Sequence, residues 1–162
     1  MKKMNVWDFD NWKTLDKSYF LKSGLFLHFE KSVNRDLRLS CIRFCKWLRK
    51  EYFFPIRVDI YFKKDVMIKS VDGRMVCSAC WQPDYKEYHP YIRIATGDFD
   101  KLVLERGRDN AVATFLQDIA RMLTHYYQWL NDLDLSTKQE KTQASQCAAS
   151  VLKKYAQTHQ HP

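Results

Sequence analysis

Two sets of side chains in this sequence have types and spacings suited to chemistry. The first is the cysteines. Cys77-Ser78-Ala79-Cys80 is a CxxC pair, and Cys41 and Cys45 lie four residues apart, on one face if that segment is helical. Together they make a possible Cys₄ zinc donor set. Against it, Cys77 and Cys80 sit in a strand-like run with no turn residue between them, where residues three apart point to opposite faces. The chain has five cysteines, an odd number, so reduced and mostly buried thiols are the expectation. The second set lies in Ile119-Ala120-Arg121-Met122-Leu123-Thr124-His125-Tyr126-Tyr127-Gln128-Trp129-Leu130-Asn131-Asp132. There Arg121 and His125 are one helical turn apart and share a face. No G-x-x-x-x-G-K-[ST], G-x-S-x-G or G-x-G-x-x-G run is present. A Cys–His nucleophile pair has no motif behind it.

The elements that would carry these residues follow from periodicity and punctuation. With 162 residues the chain fits a single domain. At 46% hydrophobic and 15% aromatic, with four Gly and four Pro, it has the makings of a packed core and little of a disordered chain. Residues 1–54 divide into an aromatic-rich wrap and a basic amphipathic helix. Asn34 is a good cap for that helix, which should run to about Tyr52 with Pro55 beyond it. Val33, Leu37, Cys41, Phe44 and Leu48 form its apolar stripe. Residues 55–156 hold the core. Ile56 to Phe62 and Tyr91 to Thr96 alternate as half-buried strands, and Asp72-Gly73 marks a hairpin. These predict a small antiparallel sheet of three or four strands. A short helix from Asp98 should end at Gly107. A longer one, capped by Asp109, should run to about Asn131 on a stripe of Val112, Phe115, Leu116, Ile119, Leu123, Tyr126 and Leu130. Ser136 and Gln139 form a capping box for a last helix to about Ala156, and 157–162 reads as a frayed tail. The class is α+β.

The segment around His125 resembles the active-site helix of small bacterial zincin-like metallopeptidases of the gluzincin type, where the stretch reads I-A-H-E-L-T-H-Y-x-Q-W. Pro90-Tyr91-Ile92-Arg93-Ile94-Ala95-Thr96-Gly97-Asp98 is similar to the same group. Gln143-Ala144 resembles its E-x-Q-A. The resemblance implies a zincin-like minimal domain with an N-terminal helical extension. In that family two histidines four apart and a glutamate from the next helix hold zinc, and the glutamate after the first histidine is the general base. Position by position, the first histidine corresponds to Arg121, the glutamate to Met122, the second histidine to His125, and the third ligand to Lys141, or to Glu140 in a register one residue earlier. Arg and Lys have no lone pair for a metal. A cation ~5 Å from a divalent ion costs roughly 6–7 kcal/mol at an effective dielectric near 20. The expectation is a pseudopeptidase with no cofactor and no metal, not an enzyme. Its former cleft, with Tyr127, Gln128 and Glu140 and an edge strand from Tyr91 to Thr96, would hold a protein segment.

Two alternatives stay open: a metallopeptidase-like enzyme with a rebuilt site, and a binder of nucleic acid or acidic surfaces. The second rests on a net charge of +8 and on Lys31, Arg35, Arg38, Lys46, Arg49 and Lys50, a basic face interrupted by Leu39 and Ile42. A solvated face on an ordinary amphipathic helix is the plainer reading of those cations. No apolar run approaches the ~20 residues of a membrane span. No apolar stretch follows the charged start as in a signal peptide, so a cytoplasmic protein without a membrane partner is expected.

Overall fold

A computed structural model describes residues 5–158. Met1 to Met4 and the last four positions of the expected tail lie outside the described residues. The chain is mixed α+β. Three short 3-10 turns (Val6–Asp8, Asn11–Thr14, Lys17–Leu21) lead into strand β1 (Leu25–Phe29) and helix α1 (Arg35–Glu51). Then come β2 (Val58–Lys63), a small hairpin of β3 (Ile68–Lys69) and β4 (Met75–Val76), β5 (Ser78–Trp81) and β6 (Tyr91–Ala95). Helices α2 (Phe99–Arg106), α3 (Arg108–Leu130) and α4 (Thr137–Ala156) complete it.

The main sheet corrects the expected antiparallel one. Its strand order is β1-β2-β6-β5; β1, β2 and β6 run parallel, and only β5 is antiparallel. The cause lies in connection length. Parallel neighbours need a crossover of a dozen residues or more. Helix α1 is the crossover from β1 to β2, and the hairpin with β5 fills the return from β2 to β6. The region before Pro55 is helical only in part: α1 is the expected basic helix, but the segment ahead of it holds 3-10 turns and the strand β1. Leu25 on β1 and Leu37, Phe44 and Leu48 on α1 are buried in the same cluster as Ile60, Ile92, Leu116 and Leu123.

Local chemistry explains most boundaries. Asn34 accepts hydrogen bonds from the backbone N–H groups of Asp36 and Leu37 and so caps α1, which stops at Glu51, ahead of Pro55. Gly107, at φ +84°, ends α2 and begins α3, a left-handed backbone that glycine adopts without strain. Asp109 therefore lies in the first turn of α3 and is not its cap. Every residue of the expected α3 stripe is buried, and Ser136 and Gln139 make the capping box of α4. Gly97 lets the turn after β6 pass close to the end of β2. A Cβ there would lie 2.6 Å from the backbone of Lys64, Asp65 and Val66. Strand β2 starts at Val58, and its expected alternation breaks at Asp59, which is buried.

Candidate cleft between α3, α4 and β5

Helix α3 presents Met122 and His125, one turn apart, toward the inner side of β5. Helix α4 approaches from the other side with Glu140 and Lys141. Ser78 and Cys80 of β5 and Ser70 and Arg74 of the hairpin close the remaining walls around an open cleft of about 370 Å³. Three of the four positions matched to a metal site, Met122, His125 and Lys141, thus line one cavity, as does Glu140. The fourth, Arg121, borders it: its Nη2 donates to Asp118 (2.7 Å) and to Ser78 Oγ (3.3 Å). Burial raises the Asp118 carboxyl above its ordinary range, and the Arg121 charge opposes that rise.

His125 is held from behind by a buried amide. Gln128 Nε2 donates to the Glu140 carbonyl (3.1 Å) and to Gln143 Oε1 (2.9 Å). Its Oε1 must therefore face the imidazole, 2.8 Å from Nδ1. An amide oxygen only accepts, so Nδ1 carries the proton and Nε2 keeps its lone pair. The Gln82 amide donates to the His125 carbonyl (2.9 Å), joining β5's end to α3. Burial lowers the His125 pKa, outweighing its hydrogen bond to Gln128 and the nearby Glu140 charge, both of which raise it. A depressed imidazole leaves the folded state with fewer bound protons than the unfolded chain in the acid range. Stability from this group is thus complete above the unfolded value of 6.5 and drains as pH falls toward the lower folded value. The His125 ring proton should titrate below that value by NMR, and His125→Gln should lose acid sensitivity in this window. A midpoint at or above 6.5 is incompatible with the buried geometry.

The residues present do not fit a zinc ion. At the positions that the sequence resemblance assigns to an imidazole, a carboxylate base and a third ligand, the side chains are a guanidinium, a thioether and an ammonium. Among the described residues no three His, Cys, Asp or Glu side chains are grouped so as to hold a metal. The thiols are separate. Cys41 and Cys45 are buried in α1, Cys77 is exposed, and burial pushes Cys45 and Cys80 up to about 12.

Two expected cleft residues lie elsewhere. Tyr127 is buried on the far side of α3, where its hydroxyl donates to the Phe53 carbonyl (2.7 Å) and its ring packs on Trp7. Gln128 is buried beneath His125 and lines no wall. The strand at the cleft also differs: Tyr91 to Ala95 is the interior strand β6, and the edge is β5. Ser70, Arg74, Ser78 and Gln82 were not singled out by the sequence; only Asp72-Gly73, which folds the hairpin over the cleft, pointed toward them. On α1, Arg38 donates to the carbonyls of Glu30 and Lys31, and Arg49 to that of Leu25. Arg35, Lys46 and Lys50 are exposed, with no ion pair among the described residues.

Comparison of the chain with protein-family models, with curated proteins and with solved structures yields no match.

Proposed function

We propose that this chain is a non-catalytic binding module, a zincin-like pseudopeptidase whose cleft holds an extended protein segment against β5. The observation that carries the reading is the convergence of Met122, His125 and Lys141 on one open cavity beside an edge strand. Such a cavity beside an edge strand fits a peptide-holding site, and its side chains lack the groups that activate water.

The phase of the β5 ladder supports it. Ala95 N–H donates to Cys77 O (2.8 Å) across the β5–β6 pairing. In an antiparallel pair the bonded residues alternate, so Ala79 and Trp81 also bond toward β6. Ser78 and Cys80 then direct their N–H and C=O groups to the open edge. A segment adding there gains main-chain hydrogen bonds, and the cleft gives specificity through one side chain. Arg74 and Lys141 outnumber Glu140 in that cleft, and His125 Nε2 offers an acceptor. An acidic or hydroxyl side chain matches these groups.

Peptides selected from a displayed random library on the full-length chain test this. Affinities of the winners, measured by fluorescence anisotropy, should fall about tenfold in Lys141→Glu. In Cys80→Pro, which removes one outward N–H, they should fall about three- to tenfold. Winners that bind both variants as well as the unaltered chain, in protein of unchanged circular dichroism, would refute the proposal.

A further inference from the structure

The sheet face opposite the helices carries a second, independent arrangement. Core residues of β1, β2 and β6 (Leu25, Ile60, Ile92 and Ile94 among them) point toward the helices, so the alternate residues point away. Strand register places Phe26, Asp59, Tyr91 and Trp81 in one outward row across all four strands, with His28, Tyr61 and Arg93 in the next. The outer face is rich in rings. His28 stacks on Tyr61 (4.6 Å, 14°) and Trp81 on Tyr91 (5.2 Å, 25°), and Tyr61 meets Tyr91 edge-on at 6.1 Å. These rings are not sealed. Phe26 is 40% exposed, Tyr61 38% and Trp81 36%, and no described helix covers them.

One buried carboxylate organises the face. The Asp59 side chain is 3% exposed. It accepts from Arg57 Nε and Nη2 (2.9–3.3 Å) and lies 2.8 Å from His28 Nε2 and 3.2 Å from His89 Nε2. Burial opposes its ionisation, but the hydrogen bonds from Arg57 and His28 outweigh burial and hold the carboxyl below its ordinary range. The result positions Arg57 over Phe26 at 4.1 Å and locks His28 against Tyr61. Asp59 is the one carboxylate in the two rows and is already saturated. Among the described residues, Arg57 Nη1 makes no hydrogen bond, and Arg93 gives one nitrogen to the Lys69 carbonyl (2.7 Å) and no other.

We propose that this face binds single-stranded nucleic acid: bases extend the His28–Tyr61 and Tyr91–Trp81 stacks, and Arg57 and Arg93 meet the phosphates. Open rings interleaved with guanidinium groups are the chemistry that grips a flexible polyanion with unstacked bases. The two stacks sit in adjacent rows of the sheet, offset by two residues or ~6.6 Å along the strands, which leaves room for a base at each. A neutral oligosaccharide would use the same rings but is usually gripped by free carboxylates, and here the one carboxylate is taken while guanidinium donors are in surplus. The chain's net charge of +8 favours the anion. This site lies on the other face of the sheet from the cleft and does not depend on it.

The test is fluorescence anisotropy of a labelled oligothymidylate and an oligouridylate, about a dozen nucleotides each, with the full chain at low and moderate salt. Binding should weaken with salt and fall about tenfold in Tyr61→Leu and again in Trp81→Leu. Tyr61→Phe, which keeps the ring, should bind as the unaltered chain does. Arg93→Met should flatten the salt dependence. These residues are surface-exposed or half-exposed, and circular dichroism checks that each variant folds. Absence of binding at low salt overturns the proposal. So does binding that ignores the ring substitutions, or that is lost on Arg35→Glu with Lys46→Glu on α1, or a preference for a neutral cello-oligosaccharide over both nucleic acids.

Discussion

Tyr126→Ala is expected to lose about 3–5 kcal/mol of stability, the usual loss for an aromatic residue deleted from a packed core. That is a large share of the ~5–15 kcal/mol available to a domain. Tyr126 is fully buried. Its ring packs against Phe54, Tyr127 and Trp129. Its hydroxyl both donates to the Ile56 carbonyl and accepts from the Ile56 N–H. Ile56 lies just before β2, so this one side chain fastens the helix that carries His125 to the entry of a central strand. Tyr126→Phe separates the two contributions. It keeps the ring and leaves two buried backbone groups at Ile56 without a partner, a loss of about 1–3 kcal/mol. Denaturant midpoints of the three proteins measure both. If the phenylalanine variant matches the unaltered chain, the Ile56 groups have found other partners and the fastening is made by packing alone.

The helices were legible because their signals are local. Asn34, Gly107 and the Ser136–Gln139 box act within a few residues, and the α3 stripe repeats over about five turns, so periodicity and caps agree. The sheet was not, because strand direction is a property of distant partners. Leu25 to Phe29 carries one polar residue, His28, and so lacks the period-two alternation that marks a strand; among so many aromatic neighbours it read as part of a wrap. Without β1, α1 had no strand to cross over from, and the remaining strands looked like a meander.

The cleft shows the same division. The stripe on α3 settles that Arg121, Met122 and His125 cluster, and the α4 box places Glu140 and Lys141 at a definite distance from its start. The sides of α3 are finer than that. Tyr127 is two residues from His125, about 200° around the helix, which turns it into the core against Trp7. Asp59 is the instructive miss. In a strand that alternates, a polar residue at an outward position is expected to be solvated. Nothing local records that Arg57, His28 and His89 come from three directions to cover it.

On the zincin reading proposed above, supplying the absent donors should create a metal site. The combination Arg121→His, Met122→Glu and Lys141→Glu, with native His125, is expected to take up one zinc per chain. Its apparent binding free energy should be on the order of 10 kcal/mol, read by elemental analysis and competition with a chelator. The scaffold already favours it. Gln128 fixes His125 with the proton on Nδ1 and the lone pair on Nε2, the outer support that metal-bound histidines need. Asp118, now bonded to Arg121, stands one turn before position 121, where it can orient a new imidazole in the same way. Replacing Arg121 and Lys141 also removes two cations from the cleft, each worth roughly 6–7 kcal/mol of repulsion at ~5 Å from the ion. The register of α4 is tested alongside: with Lys141 kept, zinc uptake by the double variant that is then lost on Glu140→Gln assigns the third ligand to Glu140. A folded triple variant that takes up no zinc by either route would mean that Arg121 and Lys141 do not stand where the ligands of a zincin stand. The cleft would then owe its shape to something other than a former metal site.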